Sequence, residues 1–115
     1  MSTFTLSRVS VLVSRSASGD PLYFINFDLG GYEGAVRFES LSATKTLIED
    51  SIDLAVSRAL RLYVADAAVD LINDGFDHVL IDVMRNRQGD IFADITASDY
   101  LLHPVSTETV FENSL

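Results

Sequence analysis

Apolar and polar residues alternate with a period of two through the opening stretch of the chain, the signature of half-buried strands. In a strand over 4–14, Val9, Val11 and Val13 share one face, whereas Phe4 and Leu6 have the opposite parity. That mismatch predicts a bulge near Ser7–Arg8, or burial on both faces. The stretch from Ser16 to Pro21 is a turn by composition. A second strand over 22–29 then groups Tyr23, Ile25, Phe27 and Leu29. Gly30-Gly31 predicts a two-residue hairpin turn, because glycine takes positive φ at both central positions without strain. The third strand, 32–39, directs Tyr32, Val36 and Phe38 inward and Glu33, Arg37 and Glu39 outward.

From about Ser42 to Asp74 the period becomes helical. Ser42 or Thr44 is the expected N-cap, and Gly75 takes the left-handed closing position, where Phe76 packs back on Leu71. Five turns of an ideal helix take about eighteen residues, so a single straight helix would set Asp66 under Ile48, Asp70 under Ile52 and Asp74 under Val56. The apolar stripe of the first half (Ile48, Ile52, Ala55, Val56, Ala59) thereby becomes the acidic stripe of the second. Val64, Ala67, Ala68, Leu71 and Ile72 turn to nearly the opposite side. Either the helix breaks near Arg61–Ala65, or a continuous helix packs its first half on the sheet and its second half on another chain. No Gly or Pro lies between the halves, which favours the continuous helix.

Residues 78–85 and 90–96 predict two further strands. Asn86-Arg87-Gln88-Gly89 between them suits a type I turn with a bulged glycine. That turn pairs Asn86 with Asp90, sets Val79, Ile81, Val83, Ile91, Ala93 and Ile95 on one face, and places Asp82 opposite Asp94. The remainder, 97–115, reads as a docking tail carrying Tyr100-Leu101-Leu102 and Val110-Phe111. The pattern as a whole predicts one α+β domain over 1–115. It has an antiparallel sheet of about five strands, in the order β-β-β-α-β-β, packed on one long or kinked helix.

The composition adds a generous core: 48% of the 115 residues are hydrophobic and the mean hydropathy is +0.24. Such a surplus raises the expectation of an oligomer. There is no cysteine, so thiolate chemistry and disulfides are excluded. The opening Met-Ser-Thr-Phe-Thr-Leu-Ser-Arg lacks a basic leader and a long apolar run, which predicts a cytoplasmic protein. No stretch approaches the roughly 20 apolar residues that span a bilayer. The net charge is −9, and all of it lies in 49–115, where thirteen acids face four arginines. A field of that sign disfavours direct nucleic-acid binding and anionic membranes, and favours basic surfaces or cations.

Two acidic constellations could carry chemistry. Asp82 and Asp94, with Asp90 or Asp99, could hold a divalent cation for phosphate-ester hydrolysis; the plainer account is two solvated carboxylates relieved by a neighbouring arginine or by a small change of register. Asp66, Asp70 and Asp74, continued by Asp77, form a row about one helical turn apart that could imitate phosphates; the plainer account is a solvated helix face. His78 and His103 lack metal-ligand spacing and a partner nucleophile in sequence. No serine sits in a Gly-x-Ser-x-Gly elbow, and Gly30-Gly31 is no phosphate loop. The aromatics Tyr23, Phe24, Phe27, Tyr32 and Phe38 lack the positive charge a base-stacking platform needs.

The sequence thus predicts a non-enzymatic interaction or assembly subunit without cofactor or metal, self-associating as a homo-oligomer. Val64, Ala68, Leu71, Ile72, Tyr100, Leu101 and Leu102 are expected at the chain–chain contact. The alternative is an acidic inhibitor or immunity-type protein, such as the small phage proteins that disarm nucleic-acid-guided defence. It would block a basic groove with Asp66, Asp70, Asp74 and Asp77. A divalent-metal-dependent hydrolase at Asp82 and Asp94 is the third reading.

Overall fold

The sheet grows outward from its longest strand, β1 (Thr3–Arg15), which pairs on one flank with β2 (Pro21–Leu29) and on the other with β4 (His78–Asn86). In the computed structural model, which describes residues 3–99 and 105–115, β3 (Tyr32–Phe38) lies outside β2. On the far side, β5 (Ile91–Ser98) and β6 (Ser106–Phe111) follow β4. The order is β3-β2-β1-β4-β5-β6, and every neighbouring pair is antiparallel. Two helices, α1 (Leu41–Asp50) and α2 (Arg58–Asn73), connect β3 to β4. The fold is α+β with an antiparallel sheet, as expected, but the sheet has six strands and the helical region is two helices.

Turn chemistry sets the registers. Gly30 and Gly31 have φ of 59° and 91°, a pairing that suits a type I′ turn and joins Leu29 to Tyr32. Gly89 has φ of 88°, and the Asn86 carbonyl accepts from its N–H at 3.0 Å. The β4–β5 register then runs as the turn dictates, with Val79, Ile81 and Val83 opposite Ala97, Ile95 and Ala93, and Asp82 opposite Asp94. In β1 the register against β4 shifts between Thr5 and Ser7. This bulge, one or two residues earlier than the parity argument placed it, lets Phe4 change face.

The incompatible helix faces are resolved by a break at 51–57, earlier than the Arg61–Ala65 position considered from sequence. Short polar side chains make the break by satisfying backbone groups that a continuous helix would use. Ser51 closes α1, its hydroxyl donating to the Leu47 carbonyl at 2.7 Å. Asp53 Oδ1 accepts from the Ala55 N–H at 2.8 Å. Ser57 caps α2 by accepting from the Leu60 N–H, and its own N–H donates to Glu112 Oε2 at 2.6 Å. The cap of α1 is Ser40 rather than Ser42 or Thr44, with its hydroxyl accepting from the Ala43 N–H. At the far end the Schellman closure forms as expected. Phe76 N–H reaches the Leu71 carbonyl and Gly75 N–H reaches the Ile72 carbonyl, with Gly75 at φ 103°.

The break lets both helices lay their apolar sides on the same face of the sheet. Ile48, Ile52, Val56, Leu60, Val64, Ala65 and Ala68 close over Val9, Val11, Ile25, Val79, Ile81, Val83 and Ile95 in one core. Helix α1 leans on β2 and β3, and α2 on β4 and β5. The expected tail instead contributes the end of β5, all of β6 and a closing turn at Glu112–Ser114. Edge strand β3 departs from expectation too: Tyr32 and Val36, expected inward, are exposed because the helices stop short of them.

Candidate interaction surface

Because both helices cover one face, among the described residues the opposite face of all six strands has no helix over it. Four successive rows of side chains cross its centre. Arg37, Phe24, Leu12, His78 and Ser98 form one row; Ala35, Asn26, Ser10, Leu80, Thr96 and Thr107 form the next. The third row runs Glu33, Asp28, Arg8, Asp82, Asp94, Thr109, and a short apolar row of Met84, Phe92 and Phe111 follows. Of these side chains only Ser98 is buried, and Leu12, Phe24 and Phe111 are exposed. Phe92 and Phe111 are neighbours, with ring centroids 5.3 Å apart. The face is therefore an acidic stripe flanked by apolar groups, with a shallow depression of about 540 Å³ beside Arg8, Asn26, Asp28 and Glu33.

Within the stripe, four carboxylates stand beside a single guanidinium, which bonds one of them. Arg8 Nε donates to Asp82 Oδ1 at 2.5 Å, which relieves the like-charge pair that Asp82 makes with Asp94 across the strands. Hydrogen bonding to Asp82, with its negative charge, holds the Arg8 guanidinium above its ordinary pKa. Asp94 Oδ1 accepts from the Thr109 hydroxyl at 2.6 Å, and Asp28 Oδ1 accepts from the Gly31 N–H. Asp82 and Asp94 thus meet as predicted, relieved by an arginine. Among the described residues, no group of three or more His, Cys, Asp or Glu is placed to hold a metal ion.

Ser10 and His78 were not associated by the sequence. The β1–β4 pairing brings the Ser10 hydroxyl within 3.2 Å of His78 Nε2 on this face. A nucleophilic serine needs its histidine oriented by a third group and free donors for the developing oxyanion. Among the described residues no carboxylate bonds the other ring nitrogen, and Ser10 lies mid-strand between two paired neighbours, where the ladder takes up its backbone N–H. The contact ties two strands together.

The helix side places the other predicted residues differently. Val64 and Ala68, expected at a chain–chain contact, are each 0% exposed within their own chain. The break rotates α2 so that both face its own sheet, which removes them from any contact surface. Leu71 and Ile72 are half-buried against the same core. Tyr100, Leu101 and Leu102 lie outside the described residues. Of the acidic row, Asp66 and Asp70 stand exposed on α2, but Asp66 accepts from Lys45 Nζ at 2.5 Å. That hydrogen bond and charge raise the Lys45 pKa. Asp74 is the C-cap of α2. Asp77 lies beyond the helix, its N–H bonded to the Ser98 carbonyl and its carbonyl accepting from Val13 N–H, so it does not extend the row. Asp66, Asp70 and Leu71 instead line a depression of about 370 Å³ with Tyr63 and Glu108. There Tyr63 donates to Glu108 at 2.5 Å, a bond that pushes the phenol above its ordinary pKa.

Among the described residues, no helix is long and apolar enough to cross a membrane. The chain matches no protein-family model, no curated protein and no solved structure.

Proposed function

We propose that this protein is an interaction subunit with no chemistry of its own, and that the helix-free sheet face is where a partner protein docks. One observation carries the reading. The face combines exposed Leu12, Phe24 and Phe111 with a stripe of four carboxylates around one arginine. Apolar side chains on a helix-free sheet supply the area that association buries, and the stripe selects the sign of the partner. A second copy would bring the same acidic stripe, so the favoured occupant is a protein surface carrying Lys or Arg among apolar residues. The −9 net charge steers such a partner in and repels polyanions.

A photoreactive side chain placed at Thr96, on β5 of that face, tests this in the native host. Cross-links to a basic-surfaced protein are expected, reduced at least tenfold by Asp94→Lys and weakened by added salt. A matched probe at Leu54, 83% exposed on the helix side, should give no such product. Equal cross-linking from Leu54, a product containing only a second copy, or indifference to Asp94→Lys would each overturn the reading.

A further inference from the structure

The strand at the edge of the sheet carries a second surface, of a different kind. Among the described residues nothing covers the outer side of β3, and Tyr32, Glu33, Ala35, Val36 and Arg37 are all exposed, Tyr32 at 69%. Natural edges are commonly blunted by proline, lysine, bulges or like charges. Strand β3 has no proline and no lysine, and its pairing with β2 runs without a register shift. Its two charges have opposite sign.

The hairpin fixes which backbone groups are free. A two-residue turn makes Leu29 and Tyr32 a hydrogen-bonded pair, and hydrogen-bonded pairs recur at every second residue of an antiparallel ladder. Tyr32, Gly34, Val36 and Phe38 therefore bond to β2. Glu33, Ala35 and Arg37 turn their N–H and C=O groups away from it, toward solvent.

We infer that β3 pairs antiparallel with β3 of a second copy, about a two-fold axis at Ala35, joining two six-stranded sheets into one. Every two-fold register centred on a β3 residue respects the backbone phase, and those centred on Glu33 or Arg37 set that charge against its own copy. Centred on Gly34, the pairing sets Arg37 against Gly31 and leaves Glu33 against Ala35. Centred on Val36, it sets Glu33 against Glu39, and the two repel. Centred on Ala35, it sets Glu33 opposite Arg37 twice over and Tyr32 opposite Phe38 twice over. Opposite charges and aromatics facing each other across strands both stabilise pairing. In that register Glu33, Ala35 and Arg37 are the hydrogen-bonded positions, so the free backbone groups of both copies are used.

The charges also lack partners within the chain. Among the described residues the ion pairs are Arg8–Asp82 and Lys45–Asp66, leaving Glu33 and Arg37 unpaired, with Glu33 directly opposite Asp28. The incoming Arg37 would relieve that like-charge neighbour as Arg8 relieves Asp82. The other edge offers no such match, because β6 carries Glu108 as its one charge. Both helical layers fall on the same side of the joined sheet, so the helix-free face is doubled rather than covered. The inference is independent of the partner proposed for that face.

Sedimentation equilibrium across about 1–200 μM, the range of typical weak specific association, tests it on the intact chain. The unmodified protein is expected to dimerise. Arg37→Glu and Glu33→Arg alone should each weaken the dimer at least tenfold, while the two together restore it by exchanging the charges. Ala35→Pro, which removes an outward N–H that β2 does not use, should abolish the dimer with the circular-dichroism spectrum unchanged. A monomer throughout that range would overturn the inference, as would a dimer indifferent to Ala35→Pro or a double exchange that fails to restore association. Cross-linking from Thr96 reads the sheet-face partner separately, so the two proposals fail separately.

Discussion

Replacing Val64 with alanine distinguishes a helix folded onto its own sheet from one held by another chain. Val64 is 0% exposed in the core beneath α2. Deleting its two methyl groups forfeits about 1.6 kcal/mol of transfer free energy at ~0.8 kcal/mol per group. A void of roughly 50 Å³ that does not collapse adds up to about 1 kcal/mol. The expected loss is therefore about 2–3 kcal/mol, a fall of about 10 °C in Tm for a domain of this size. Urea denaturation followed by circular dichroism measures it, repeated at two protein concentrations a hundredfold apart. The loss should be the same at both, because Val64 packs within its own chain and meets no second one. Leu54→Ala, at an 83% exposed position in the break, should change stability by less than about 0.5 kcal/mol. A Val64→Ala protein of unchanged stability but altered oligomeric state would refute the reasoning.

Three further outcomes follow from named contacts. Glu112→Ala should cost about 1–2 kcal/mol, because the Ser57 N–H loses a charged acceptor at the start of α2; hydrogen exchange at Ser57 should rise with it. Arg8→Ala should cost about 0.5–1 kcal/mol at low salt, since Arg8 is 57% exposed. Adding Asp82→Asn should restore most of that loss, because the repulsion with Asp94 then vanishes. The Tyr63 pKa is raised by its hydrogen bond to Glu108, so the stability this bond contributes is complete below the ordinary phenol value near 10. It is lost as pH rises through the higher folded value. The stability difference between the unmodified protein and Tyr63→Phe should accordingly shrink in strong alkali and hold constant between pH 7 and 9.

How far the sequence discloses this structure depends on whether the deciding contact is local. The β4–β5 hairpin was legible because a four-residue turn and a period of two both constrain it, down to Asp82 facing Asp94. The Schellman closure at Gly75 was legible for the same reason. The helix break was half legible. The incompatible faces demanded a change of direction, but Ile52 and Val56 keep the helical spacing through 51–57 and are buried in the core. The local signal was the trio Ser51, Asp53 and Ser57, whose side chains compete for backbone groups. Strand β6 was hidden because its core side holds Ser106 and Glu108 beside Val110, and Glu108 is met there by the Tyr63 hydroxyl of α2. The Ser10–His78 contact joins residues 68 apart, and it requires the β1–β4 pairing that no local pattern specifies. The helix-free face depends in turn on both helices lying on one side, which follows only once the break is placed.

The most direct test of that face uses the absence of cysteine from the chain, which makes any introduced thiol a clean reporter. Asn26→Cys and Thr107→Cys place one on the sheet face, and Leu54→Cys places one on the helix side. In the purified protein all three should be alkylated readily; in native-host extract the first two should become protected at least tenfold while Leu54→Cys stays reactive. Equal protection at all three positions, or none at Asn26 and Thr107, would contradict the account.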